Sequence, residues 1–190
     1  AYDIGLANKL LDRFGYKRGP DGMRSLPDGK PLVLQIRRES DSSSTIFAEI
    51  WKRGLDQLGI AAKHEVGSFA DNLKEARECK LMMWGGAWLP DIPDGENFLQ
   101  LLYGKNVFRG NNSCYESPKF DALYEKAIHL PAGPERYALY QQMNRQMEAD
   151  TPWSLHISRI YNWVAWPWVK GFKKHPVLHS TWQYMDIEPH

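Results

Sequence analysis

The chain has 190 residues, 43% hydrophobic and 25% charged, with 24 lysines and arginines against 23 aspartates and glutamates. A typical domain has about 100 to 150 residues, so this length suits one well-filled core or two small ones, and one domain spanning 1–190 is expected. The balanced charge excludes the basic footprint of a nucleic-acid or anionic-membrane binder, no apolar run approaches the roughly 20 residues of a membrane helix, and no signal peptide opens the sequence.

Ile4, Ala7, Leu10, Leu11 and Phe14 recur at helical spacing and Gly15 follows as a stop, which predicts a first helix. Residues 19–30 are rich in turn formers, and Leu32, Leu34 and Ile36 then alternate with Val33, Gln35 and Arg37 as in a strand. The serine-rich stretch 40–44 is expected to cap a second helix, whose apolar face is Ile46, Phe47, Ile50, Trp51, Leu55 and Leu58 and whose end is Gly59. Residues 60–66 alternate again, with Ile60, Ala62, His64 and Val66 on one side. Ser68 starts a short third helix, and Leu81 to Trp84 form a third strand, apolar on both parities as if covered on both faces. Strand, helix, strand, helix, strand with short connections requires parallel pairing through right-handed crossovers, hence an α/β fold.

Beyond Trp84 the chain reads Gly85-Gly86-Ala87-Trp88-Leu89-Pro90-Asp91-Ile92-Pro93-Asp94. Glycines let the backbone turn or approach a ligand, and the prolines keep a helix from starting before Asp94. Ligands of open α/β sheets lie beyond the carboxyl ends of the strands, which is where this loop puts Asp91. The same residues also suit a plain turn that uses Asp and Pro for their backbone habits. Residues 94–103 are expected to be helical with Asp94 as N-cap. Ser117-Pro118 opens a helix with Phe120, Leu123, Tyr124, Ala127 and Ile128 inward, and Gly133-Pro134 opens another through Tyr137, Tyr140, Met143 and Met147. From Trp153 the pattern is β-like, through Leu155 and Ile157 and later Trp182, Tyr184 and Ile187.

Two cysteines, Cys79 and Cys114, permit at most one internal disulfide. A strand and a helix between them set them about a strand length apart, which predicts two free thiols. Eight tryptophans among 24 aromatic residues exceed the needs of a core this size, and surplus tryptophan either lines ligand clefts or packs densely. His175 and His179 have the spacing of two metal ligands on one helical face, but Pro176 and the β-like surroundings argue against a metal site. His64 and His156 fall on apolar strand parities and are expected to be satisfied core or edge histidines. The sequence has no GxSxG, Walker or GxGxxG motif.

Several segments, in this order and spacing, resemble the extracellular solute-binding proteins, family 5, of ABC importers. They are Leu10-Leu11 with Phe14-Gly15-Tyr16, Asp28-Gly29-Lys30-Pro31-Leu32, Leu58-Gly59-Ile60, Trp88-Leu89-Pro90-Asp91-Ile92-Pro93-Asp94 with Asn97-Phe98-Leu99, Tyr115 to Leu123, and Val169-Lys170-Gly171-Phe172. The resemblance implies a periplasmic-binding-protein-like lobe of type II, a small mixed sheet with a parallel βαβαβ core flanked by helices. It also implies that the chain is the C-terminal lobe of a two-lobed, extracytoplasmic protein. The implied partners are a small solute, in particular a peptide, the N-terminal lobe and an ABC permease. No cofactor, metal, nucleic acid or catalysis is implied.

In peptide-binding members an aspartate three residues after a tryptophan pairs with the ligand's α-amino group, and here the pattern falls on Trp88 and Asp91. Leu89 and Pro90 stand where the family often has small residues, which changes the pocket next to Gly86. Some oligopeptide binders also hold a ligand carboxylate with an arginine three residues before the tryptophan, where this chain has Gly85. Arg37 or Arg38, at the carboxyl end of the first strand, is the candidate substitute, Arg38 first; the plainer alternative is a pair of surface arginines. A different reading is a carbohydrate-binding or carbohydrate-active module with tryptophan platforms and Asp91 and Asp94 as an acid/base pair.

Overall fold

The computed structural model describes residues 2–158, 160, 162–173, 175 and 180–188. They fall into two compact units, residues 1–87 and residues 88–190.

In the first unit, helix α1 (Ile4–Arg13) begins where the Asp3 carboxylate accepts the Leu6 N–H at 2.8 Å. Strand β1 (Val33–Arg38) is central in a three-stranded sheet, with β2 (Ala61–Val66) and β3 (Met83–Trp84) parallel to it on either side. The crossovers are α2 (Ser42–Leu58) and α3 (Phe69–Arg77), so the βαβαβ order is the expected one. Alternate residues of a strand face opposite ways. Ile36 turns to a core shared with Leu55 and Ile60, against which Leu11, Leu34, Trp51 and Met83 pack. Arg37 turns the other way and reaches Glu75 of α3 at 2.5 Å. Asp41, rather than one of the serines, caps α2, its carboxylate accepting the Ser44 N–H at 3.0 Å. Gly59 ends that helix at a φ of 70°, and a β-carbon there would stand 2.4 Å from the Gly22 carbonyl oxygen, so only glycine fits.

The third strand is shorter and less covered than its sequence suggests. It pairs only through Ile36 with Met83 and Arg37 with Trp84, and as an edge strand it leaves Met82 59% exposed. Both cysteines are disulfide-bonded, against the expectation of two free thiols. The expectation counted a full strand between them, and β3 has two residues.

In the second unit, α5 (Pro118–Ile128) and α6 (Pro134–Asp150) pack on each other around Phe120, Tyr124, Ala127, Leu139, Met143 and Met147. Ile128 and Tyr137, expected inward, are exposed at the margins of this core. The helix expected over 94–103 is one turn, α4 (Glu96–Leu99), continued by a 3-10 turn through Leu102. Asn106 Nδ2 donates to the Gln100 carbonyl at 2.8 Å, occupying an acceptor that a longer helix would use itself. Among the described residues of the β-like C-terminal segment, β4 (Val169–Lys170) and β5 (Asp186–Ile187) pair, antiparallel. Leu155 and Ile157 have the alternation of a strand but no neighbouring strand among the described residues, and both are exposed. No helix among the described residues is long and apolar enough to cross a membrane.

Candidate functional site

The carboxyl ends of the three parallel strands form one edge of the first unit's sheet, with Arg38 and Glu39 after β1, Gly67 after β2, and Gly85 and Gly86 after β3. Glu39 organises this edge. Its Oε1 accepts the Trp84 indole N–H at 3.0 Å and Asn72 Nδ2 at 2.9 Å, and Asn72 is fully buried. The Gly67 N–H donates to the Arg38 carbonyl at 3.0 Å, which continues the strand pairing one residue past β2. A β-carbon at Gly86 would meet no atom within 4 Å, so its backbone is open to approach.

The two arginines of β1 have different surroundings. Arg37 is engaged with Glu75 at 2.5 Å and Glu65 at 3.8 Å. Arg38 gives Nη1 to the Glu39 carbonyl at 2.9 Å and to the Thr45 hydroxyl at 3.3 Å, and its buried Nε meets no hydrogen-bond partner. His64 was expected to be a satisfied core or edge histidine, but neither of its buried ring nitrogens has a partner among the described residues. Burial first, and then the Arg38 charge, push its pKa down and keep the ring neutral.

In the second unit, Trp88, Leu89 and Asp91 lie on an exposed loop ahead of α4. The buried Asn97 holds that loop, its Oδ1 accepting the Trp88 indole N–H at 2.9 Å and the Asp91 backbone N–H at 3.2 Å. Asp94 faces inward. One carboxylate oxygen accepts the Glu96 N–H and the Tyr140 hydroxyl, each at 2.8 Å, and the other meets Arg136 Nη1 at 2.9 Å. The Glu96 N–H, then Tyr140 and Arg136, hold its pKa below the ordinary carboxylate range. Burial and Asp94 push the Tyr140 hydroxyl up to about 12. Tyr124 donates to Glu96, and burial followed by that carboxylate raises its pKa as well.

A general acid must keep its proton near the working pH, and Asp94 instead is anionic with both oxygens taken. Asp94 is therefore unsuited to the general-acid half of the pair that glycoside hydrolysis requires. No group of three metal-ligating side chains occurs among the described residues. His179 of the His175/His179 pair lies outside them.

Of the residues singled out in the sequence, Trp88, Leu89 and Asp91 share one loop of the second unit, while Arg38 and Gly86 share the sheet edge of the first. Glu39, Asn72 and Asn97 escaped the sequence reading. Asn97 stood inside a quoted segment, but residue type alone does not distinguish a buried bridging amide from a surface one.

An α/β unit with its polar edge at the carboxyl ends of parallel strands is a binding architecture, and solved structures share it. The fold class is that of type II periplasmic binding proteins. The peptide-complexed DppA of Helicobacter pylori superposes with a TM-score of 0.65 at 27% identity over 80% of this chain and 28% of its own. The nonapeptide-complexed AppA of Bacillus subtilis gives 0.78 at 17% identity over 99% of this chain and 38% of its own. Residues 1–109 match the family model described as bacterial extracellular solute-binding proteins, family 5 middle, and the chain belongs to that family. In sequence it is 28% identical to the heme-binding protein A of Haemophilus influenzae over 98% of this chain, and 23% identical to the dipeptide-binding protein of Pseudomonas aeruginosa over 99% of it. The chain spans about a third of the length of these relatives, 33% and 34%. They are named for binding, not for a reaction.

Proposed function

We propose that the chain is the C-terminal lobe of an extracytoplasmic solute-binding protein of an ABC importer, and that with its N-terminal lobe it encloses peptides or similar amine-bearing solutes for delivery to a membrane permease. In the second unit Asp91 pairs with the ligand ammonium beside the apolar side chains of Trp88 and Leu89; in the first unit Gly86 and Arg38 are the candidate ligand contacts. The observation that carries this reading is the exposed loop of the second unit, whose Trp88 indole N–H and Asp91 backbone N–H are both anchored on the buried Asn97. A carboxylate on an anchored loop is suited to a charge-assisted hydrogen bond, which gains strength when a cleft closes over it. The disulfide-bonded cysteines favour an oxidising compartment outside the cytoplasm. The relatives named for dipeptide and peptide binding favour the solute class.

Two measurements on the full-length protein test this. Mass spectrometry of the solute retained on purification is expected to find peptides, and a Soret band or a metal in their place would replace the solute class. Asp91→Asn keeps the shape and removes the charge, leaving the ammonium poorly paired. Binding of free-amine peptides should then weaken by about 2 to 5 kcal/mol, roughly thirtyfold or more, with melting almost unchanged. Undiminished affinity would remove Asp91 from the site.

A further inference from the structure

Asn97 is 5% exposed, and its side-chain oxygen accepts two hydrogen bonds, both from the Trp88–Asp91 loop. An amide oxygen has two acceptor positions, so the Trp88 indole N–H and the Asp91 backbone N–H use its full capacity. Asn97 is itself fixed on both sides. Its own N–H donates to the Asp94 carbonyl at 3.1 Å, and its carbonyl accepts Gln100 Nε2 at 3.3 Å. Asp94 in turn is held by Arg136 and Tyr140 of α6. The loop has two prolines and no strand or helix of its own over 85–94, so no backbone ladder locates it. Tethers of this kind are what set the position of Asp91.

We infer that Asn97 is a positioning residue, a buried acceptor that sets Trp88 and Asp91 for the ligand's ammonium group. This rests on the reading in which Asp91 pairs with that group. Binding sites gain affinity when the free protein already holds their geometry, because less order is lost on association. A leucine at 97 would fill the same space yet leave both donors without an acceptor and the loop free to shift.

The test is calorimetry of the full-length protein with tetra-alanine and with N-acetyl-tetra-alanine, and its readout is the preference for the free amine. Loss of stability alone does not move this ratio, since both peptides meet the same folded fraction. Wild type should show the preference. Asn97→Leu should reduce it about tenfold, and Asn97→Asp, which keeps an acceptor oxygen in place, should retain it within about threefold. Should Asn97→Leu fail to fold, Asn97→Ser, whose hydroxyl is too short to reach both donors, takes its place with the same expected loss. Wild type with no preference would overturn the ammonium reading and this inference with it. A wild-type preference that the leucine or serine variant keeps in full would overturn the role of Asn97 alone.

Discussion

The two units hold themselves together differently. In the second unit, Leu102, Phe120, Ala127 and Met143 are completely buried, and helices close around them. The first unit has a thinner core, a cluster of three buried residues with partly buried neighbours, and α1 contains no buried residue at all. What anchors α1 instead is Arg24, itself 4% exposed. Its Nε donates to the Leu58 carbonyl at 2.8 Å, Nη2 to Asn8 Oδ1 at 2.7 Å, and Nη1 to Asp12 at 2.6 Å and to the Tyr16 carbonyl. One guanidinium thus links α1 and the turn after it to the end of α2. An apolar core tolerates no loss of volume, whereas a polar clamp tolerates no loss of donors.

The largest expected effect follows from that contrast. Phe120→Ala removes a fully buried ring whose neighbours are helix-borne and cannot collapse into the space, and should destabilise the second unit by about 3 to 5 kcal/mol. Hydrogen exchange of the α5 and α6 amides reads it, and a loss below about 1 kcal/mol would mean that the core repacks freely. Arg24→Ala should cost the first unit about 2 to 3 kcal/mol, chiefly through the Leu58 and Tyr16 carbonyls left without a donor. Asp12 is 64% exposed at its side chain, so its ion pair adds little, and the loss should change only slightly in high salt. Arg24→Lys should recover only part of the loss, because an ammonium lacks the planar fork that reaches four acceptors at once. Complete recovery, read from urea midpoints, would show that charge rather than geometry holds α1.

These contrasts also separate what was legible in the sequence from what was not. Periodicity located α1, α2, α3, α5 and α6, and the order of periods set the parallel pairing, because each of these helices turns an apolar stripe inward, only partly buried in α1, where Leu11 packs against the first unit's core. The short β3 was overread. Four consecutive apolar residues look like a buried strand, but an edge position leaves one side without a neighbour, and position in a sheet is not encoded locally. The alternation at Leu155 and Ile157 was overread similarly, since a strand needs a partner, whereas Ile187 does pair in β5. The Trp88–Asp91 loop was found through its glycines and prolines and its family likeness. Its anchor was not found, because the bonds from Asn97 to residues six and nine positions earlier are tertiary geometry. Arg24 was missed for the same reason: among 24 basic residues, only its surroundings mark it out.

The smallest expected effect sharpens the comparison inside the second unit, where one polar cluster sits against the apolar core. Asp94 carries a carboxyl pKa depressed by the Glu96 N–H, Tyr140 and Arg136, so the folded state holds the charged form more tightly than the unfolded chain does. Its contribution is therefore present above the unfolded value, ordinarily 3.8, and is lost as the pH falls through the lower folded value. Asp94→Asn mimics the protonated side chain in shape and charge. At about pH 7 it leaves Arg136, 14% exposed, without its counter-ion, which should cost about 1 to 2 kcal/mol, less than a fully buried pair because Asp94 is 27% exposed. At acid pH below the folded value the wild-type carboxylate is neutral too, and the two proteins should converge. Urea midpoints of wild type and variant across this range read the convergence. A difference that persisted undiminished in acid would assign the effect to shape at Asp94, and the cluster would then be an extension of the core rather than an electrostatic latch.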